Sequence, residues 1–196
     1  GQPERMQLVV RGYNDGFAFC YKIPDGKGPC VNVQSELTAY NFAGDYTAWF
    51  YNGENHNIGP EKLTETDGTR LPVMTVKAGD KHYMAILEAC LETGAPLVLQ
   101  SKGGESLFSV ASKPTSLSPG YTSAWRVVLY GTTPGVLTDS HLLELLNPDP
   151  DSRYDFSWVK PGLAVWDWRI NGAVWDGFTY GMSYPSWVRM VDFAAE

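Results

Sequence analysis

The chain has 196 residues, a net charge of −7, 43% hydrophobic and 13% aromatic content, 20 Gly and 13 Pro. That composition belongs to a β-rich globular protein and excludes a disordered one, and no apolar run reaches the ~18 residues of a membrane span. Lys and Arg nowhere cluster, so the electrostatic footprint of a nucleic-acid partner is missing as well.

In chain order, Met6 to Val10 and Phe17 to Ile23 are β-prone runs joined by Tyr13-Asn14-Asp15-Gly16, a hairpin turn with Gly where positive φ is wanted. Asp25 to Pro29 is a loop. Glu36 to Phe42 alternates Leu37, Ala39 and Asn41 against Thr38, Tyr40 and Phe42, and Tyr46 to Tyr51 is a further strand. Asn52 to Arg70 is polar, broken by Asn-Gly, Gly-Pro and Asp-Gly, and reads as one long loop. Val73–Val76 with Tyr83–Leu87, and Leu97–Gln100 with Ser106–Ala111, form two more hairpins, and Trp125 to Tyr130 closes the strand series.

Thr138 to Leu146 predicts a short amphipathic helix with Leu142, Leu143, Leu145 and Leu146 on its apolar face and Thr138 or Asp139 as cap. Asn147-Pro148-Asp149-Pro150-Asp151 is a stiff polar boundary. Beyond it the pattern changes. Pro161-Gly162 signals a turn, Leu163 to Trp168 reads as a buried parallel strand, and a Gly-rich loop spans Asn171 to Gly181. A helix follows from Ser183-Tyr184-Pro185-Ser186, with apolar residues at helical spacing to the end. Hairpin-linked strands predict an antiparallel sandwich, and strand–loop–helix predicts the first unit of a β/α barrel, cut short.

Little chemistry is legible from spacing. There is no nucleophile elbow, phosphate-cradling glycine loop or zinc-binding His-Glu-x-x-His. Paired acids cannot be recognised by spacing alone. The three cysteines, Cys20, Cys30 and Cys90, lack metal-ligand spacing, and Cys20 reads as a buried structural thiol. His56 has no partner at ligand spacing. Seven Trp and eleven Tyr suit sugar stacking, although filling a β core accounts for most of them. No secretory leader pattern opens the sequence, and Gly1-Gln2-Pro3 reads as a processing boundary.

Six segments carry a resemblance: Tyr13-Asn14-Asp15-Gly16-Phe17-Ala18-Phe19-Cys20-Tyr21, Asp45-Tyr46-Thr47-Ala48-Trp49, Ile86-Leu87-Glu88-Ala89, Trp125-Arg126-Val127-Val128, Ser157-Trp158-Val159-Lys160-Pro161-Gly162 and Asp192-Phe193-Ala194-Ala195-Glu196. In this order the chain resembles glycoside hydrolase family 97, whose members cleave α-glucosidic or α-galactosidic bonds. The resemblance implies a mainly β fold: part of a galactose-mutarotase-like super-sandwich over residues 1–147, a linker over 148–162, and the first strand and helix of a catalytic β/α barrel over 163–196. It implies a chain that lacks the catalytic acid and the base or nucleophile, and is therefore inactive alone. The implied partners are an α-linked oligosaccharide or glycoside and the remainder of the barrel, in the periplasm or outside the cell.

The resemblance also implies a calcium ion with Glu88 as its ligand from the sandwich; the alternative for Glu88 is an exposed strand-end carboxylate. Trp166, Asp167 and Trp168 would then face the catalytic mouth; the alternative is a Trp in the barrel interior and Asp167 paired with Arg169. Trp49 and Arg126, inside strand motifs, read as structural. Cys20 departs from the family's usual Arg. A stand-alone carbohydrate-binding or structural sandwich is the rival reading.

Overall fold

The computed structural model describes residues 6–51, 53, 55–162 and 164–195. The chain divides into two units, Gly1–Asp149 and Pro150–Glu196. The first is mainly β, with antiparallel sheets and few helices. Its strands are β1 (Gln7–Tyr13), β2 (Gly16–Lys22), β3 (Val31–Val33), β4 (Ala39–Asn41), β5 (Thr47–Tyr51), β6 (Ile58–Lys62), β7 (Asp67–Lys77), β8 (Tyr83–Ala89), β9 (Leu99–Lys102), β10 (Leu107–Val110), β11 (Thr115–Leu117) and β12 (Trp125–Gly131).

One layer runs β1-β2-β12-β8-β7, with β5 on the other edge of β7 and β6 beyond it. The eleven residues of β7 are divided along their length: Met74–Lys77 pair with β8, and Asp67–Arg70 pair with β9. From β9 the second layer continues through β10 to β4. Between the layers lies a core of Ala48, Phe50, Met74, Val76, Ile86, Leu99, Phe108 and Val110, an arrangement consistent with a β-sandwich.

The outer face of the first layer carries a second core. Ala85, Leu87 and Ala89 of β8 and Trp125, Val127 and Leu129 of β12 pack under Leu142 and Leu146. Successive strand residues face opposite ways. Glu88 and Arg126 therefore share the inner face with Ile86 and Val128, while their sequence neighbours fill the helix-covered core.

Several expectations are corrected. The loop expected over Asn52–Arg70 holds β6, a 3₁₀ turn at Leu63–Glu65 and the start of β7; residues 52 and 54 lie outside the described residues. Tertiary anchors override the polar composition here: Leu63 and Thr66 are wholly buried, and the Thr66 hydroxyl donates to Glu61. The single helix expected over Thr138–Leu146 is two, α1 (Gly135–Asp139) and α2 (Leu142–Leu146). Neither Thr138 nor Asp139 caps it. Ser140 is extended between the two, and its hydroxyl accepts the Leu142 N–H, a local bond that competes with continued helix.

In the second unit the strand expected over Leu163–Trp168 is absent. Leu163 lies outside the described residues, Ala164–Trp166 form no ladder, and Asp167–Ile170 form α3. Asp167 Oδ1 accepts the Trp168 N–H, which turns the chain into that helix instead of extending it. The expected Gly-rich loop contains a small hairpin, β13 (Val174–Trp175) and β14 (Phe178–Thr179). Asp176 and Gly177 both take positive φ at its turn. The final helix forms where expected, as α4 (Tyr184–Ala195), with Ser186 tied to Ser183 and to the Gly181 N–H.

Candidate functional site

Register brings Glu88 opposite Arg126 on β8 and β12. Arg126 is 5% exposed, so its charge demands compensation at short range. Two carboxylates provide it. Glu36, from the segment before β4, binds the guanidinium in a fork: Nε donates to Oε1 at 2.9 Å and Nη2 to Oε2 at 2.6 Å. Nη1 donates to Glu88 Oε2 at 3.2 Å, and the same oxygen accepts the Leu97 N–H at 2.9 Å. Burial alone would depress the Arg126 pKa; hydrogen bonding to Glu36 and the attraction of both carboxylates outweigh it and raise the pKa above its usual value.

The network extends outward. Thr38 Oγ1 donates to Glu36 Oε1 at 2.8 Å, which leaves the Tyr21 hydroxyl to donate to Thr38, also at 2.8 Å. The Glu36 N–H donates to Ser112 Oγ. Glu36 is thus held by β2, β12 and the segment after β10. Breaking a buried pair of this kind costs about 3–5 kcal/mol, because the remaining charge stays uncompensated.

Glu88 differs from Glu36 in one respect. Its Oε2 is doubly bonded, while Oε1 takes part in no hydrogen bond among the described residues, and the side chain is 16% exposed. One oxygen is fixed and the other is open. Among the described residues no group of three or more His, Cys, Asp or Glu side chains could hold a metal ion. Glu88 is therefore neither a freely exposed strand-end carboxylate nor a metal site by itself.

In the second unit, Trp166, Asp167 and Trp168 adjoin at the start of α3. The Arg169 guanidinium lies 4.9 Å from the Trp166 ring centroid, so part of that ring is covered. Asp167 engages the Trp187 indole, whose Nε1 donates to Oδ2 at 3.0 Å, and this tie links α3 to α4. Trp168 is 58% exposed.

Sequence reading missed Glu36 and assigned Arg126 to structure alone. Sequence separations of 90 and 38 residues hide both pairings. The available signal was an arginine on an otherwise apolar strand, Trp-Arg-Val-Val-Leu-Tyr, which burial would force to find carboxylates.

The likeness to known proteins is consistent over the chain. Residues 1–148 match the family model described as Glycosyl-hydrolase 97 N-terminal. A retaining alpha-galactosidase of Bacteroides thetaiotaomicron is 28% identical over 96% of this chain and 34% of its own length. A probable retaining alpha-galactosidase of Streptomyces bingchenggensis is 29% identical over 98% of this chain and 30% of its own. A Glycoside Hydrolase Family 97 enzyme from a Pseudoalteromonas species, solved in complex with acarbose, superposes with a TM-score of 0.76 and 25% identity, over 97% of this chain and 31% of that one. The chain spans about a third of the length of the curated relatives it matches. With its family match covering 148 of 196 residues, the chain belongs to glycoside hydrolase family 97.

Proposed function

We propose that this chain is the N-terminal part of an α-glycosidase acting on α-galactosides or α-glucosides, with a sandwich over residues 1–147, a linker over 148–162 and the start of a catalytic β/α barrel over 163–196. The observation that carries the reading is the family match over residues 1–148; the names of the two alpha-galactosidase relatives support the substrate class. The carboxyl pair that would protonate the leaving group and attack or activate water lies outside these residues, so the chain alone is inactive. The periplasm or the cell exterior is its proposed location.

In this reading Glu88 Oε1 is the sandwich's one oxygen on a calcium ion. Such an ion takes about 6–8 oxygen donors, so the rest come from the barrel and solvent, and the chain alone binds calcium only at ~10⁻³ M or weaker. When bound, the ion would stabilise charge and orient substrate. Trp168, with its exposed ring, is the best placed of Trp166, Asp167 and Trp168 to stack on a sugar; Asp167 serves mainly to hold α3 against α4.

The test compares the complete protein encoded by the gene with residues 1–196 alone, on aryl α-galactosides and α-glucosides. Turnover is expected from the complete protein only. Hydrolysis by the short chain would overturn the reading, and failure of the complete protein on both substrates would overturn the substrate class. Exposed Trp158 and Trp175 favour a second reading, a carbohydrate-binding module; sugar-dependent Trp fluorescence of the short chain, without turnover by the complete protein, would select it.

A further inference from the structure

We infer that the inner face of β1 and β2 is a docking surface for an extended segment of the same protein from outside residues 1–196, which pairs with the free edge of β4 and widens the second layer. The two faces of β1 and β2 are buried very unequally. On the helix-covered side Ala18 and Cys20 are wholly buried, and Val9 and Tyr13 pack against their cluster. On the inner side the register sets Leu8 opposite Tyr21, Val10 opposite Phe19 and Gly12 opposite Phe17. Leu8, Val10 and Phe17 are 59%, 60% and 44% exposed. No charged residue lies on that side of the two strands. Through Val128 of β12, opposite Phe17, it continues the face that makes the core between the layers. A sheet face of this composition is stable when another layer covers it.

The covering layer ends at β4, which the segment before it ties to β12 and β2: Glu36 holds Arg126, and Thr38 meets the Tyr21 hydroxyl. Toward β10, β4 bonds through Thr38, Tyr40 and Phe42. Alternate residues of an antiparallel strand direct their N–H and C=O the other way. Ala39 and Asn41 therefore present theirs to an edge that no strand occupies among the described residues. A strand added there would lie about 4.8 Å from β4, on the side of β2 and β1, with its inward side chains over Phe17, Phe19, Val10 and Leu8. Backbone pairing at an open edge, with alternate side chains seated on an apolar face, is a recurring mode of strand recognition. Length selects the same protein as the source: this chain spans 34% and 30% of the two alpha-galactosidase relatives, and a protein of that size has polypeptide to spare. A strand from the same protein also avoids much of the association entropy that a separate peptide loses.

The experiment follows amide hydrogen exchange at Ala39 and Asn41 in the complete protein encoded by the gene and in residues 1–196, with Val10→Lys made in both. Strand pairing predicts exchange at both amides ~10-fold or more slower in the complete protein. Val10→Lys is expected to lower the melting temperature of the complete protein, where it would bury a charge. It is expected to leave that of residues 1–196 unchanged, because the side chain is exposed there. Equal exchange at Ala39 and Asn41 in the two proteins, or a complete protein whose melting temperature ignores Val10→Lys, overturns the docked strand. Protection that arises in residues 1–196 alone and grows with concentration assigns the surface to a second copy, and overturns it too. If Val10→Lys keeps the complete protein from folding, the exchange rates of the two parents decide.

Discussion

Tyr40 Oη is buried without a hydrogen-bond partner among the described residues, and desolvation, the largest influence on it, pushes its phenol well above the usual tyrosine range. Because the folded pKa is raised, the stabilisation is intact below the ordinary value of about 10 and is lost as pH rises beyond it. An unpaired buried hydroxyl also costs about 1–3 kcal/mol. Tyr40→Phe is therefore expected to raise stability in urea by ~1 kcal/mol and to flatten its alkaline decline; a clear loss would mean the hydroxyl is bonded after all. Cysteine chemistry gives a second check. All three thiols are free; burial pushes the Cys20 thiol up, whereas Cys30 is exposed. With a thiol-specific chromogen, Cys30 should react at once and Cys20 only on unfolding; fast labelling of Cys20 would contradict its place in the core.

At the scale of elements, the β1–β2 turn makes a sharp demand. A Cβ on Gly16 would stand 2.3 Å from the Val128 carbonyl oxygen, where β12 joins β2. Gly16→Ala should cost at least ~1–3 kcal/mol, since backbone would have to yield; a chemical denaturation midpoint unmoved from the parent would show that β2 and β12 can separate freely. This hairpin was legible because local chemistry decides it: Asn-Asp-Gly turns, and the flanking runs alternate. The β7–β8 and β9–β10 hairpins were legible for the same reason. What stayed hidden was decided at long range. β6 follows a polar stretch and forms because β5 offers it an edge and Leu63 finds the core. The run ending at Trp168 looks like a buried strand by composition, yet Val165 and Trp166 are exposed and no strand pairs with them. Glu88 was singled out from its motif, but its bond to Arg126 was not foreseen. Glu36 was not, because only folding sets it against Arg126.

For the whole molecule, the two units differ in what they bury. In Pro150–Glu196 only Ser186 and Met190 are buried among the described residues, whereas Trp158, Trp175 and Phe193 are each 70% exposed or more. Exposed large apolar side chains of this kind favour association and the binding of apolar probes. Residues 1–149 alone should accordingly bind less of an environment-sensitive hydrophobic dye, and self-associate less in sedimentation, than residues 1–196; equal behaviour would mean the second unit covers its own surface. The first unit raises a different question, that of how its site could ever be lost. β7 is laddered to β5 and β8 over its second half and to β9 over Asp67–Arg70, so each layer includes part of the same strand. Neither can peel away while the other persists, and partial opening is suppressed. Amide exchange around Met74 to Lys77 should then proceed only through global unfolding, and Glu88, one strand away, would keep its orientation for as long as the molecule is folded at all.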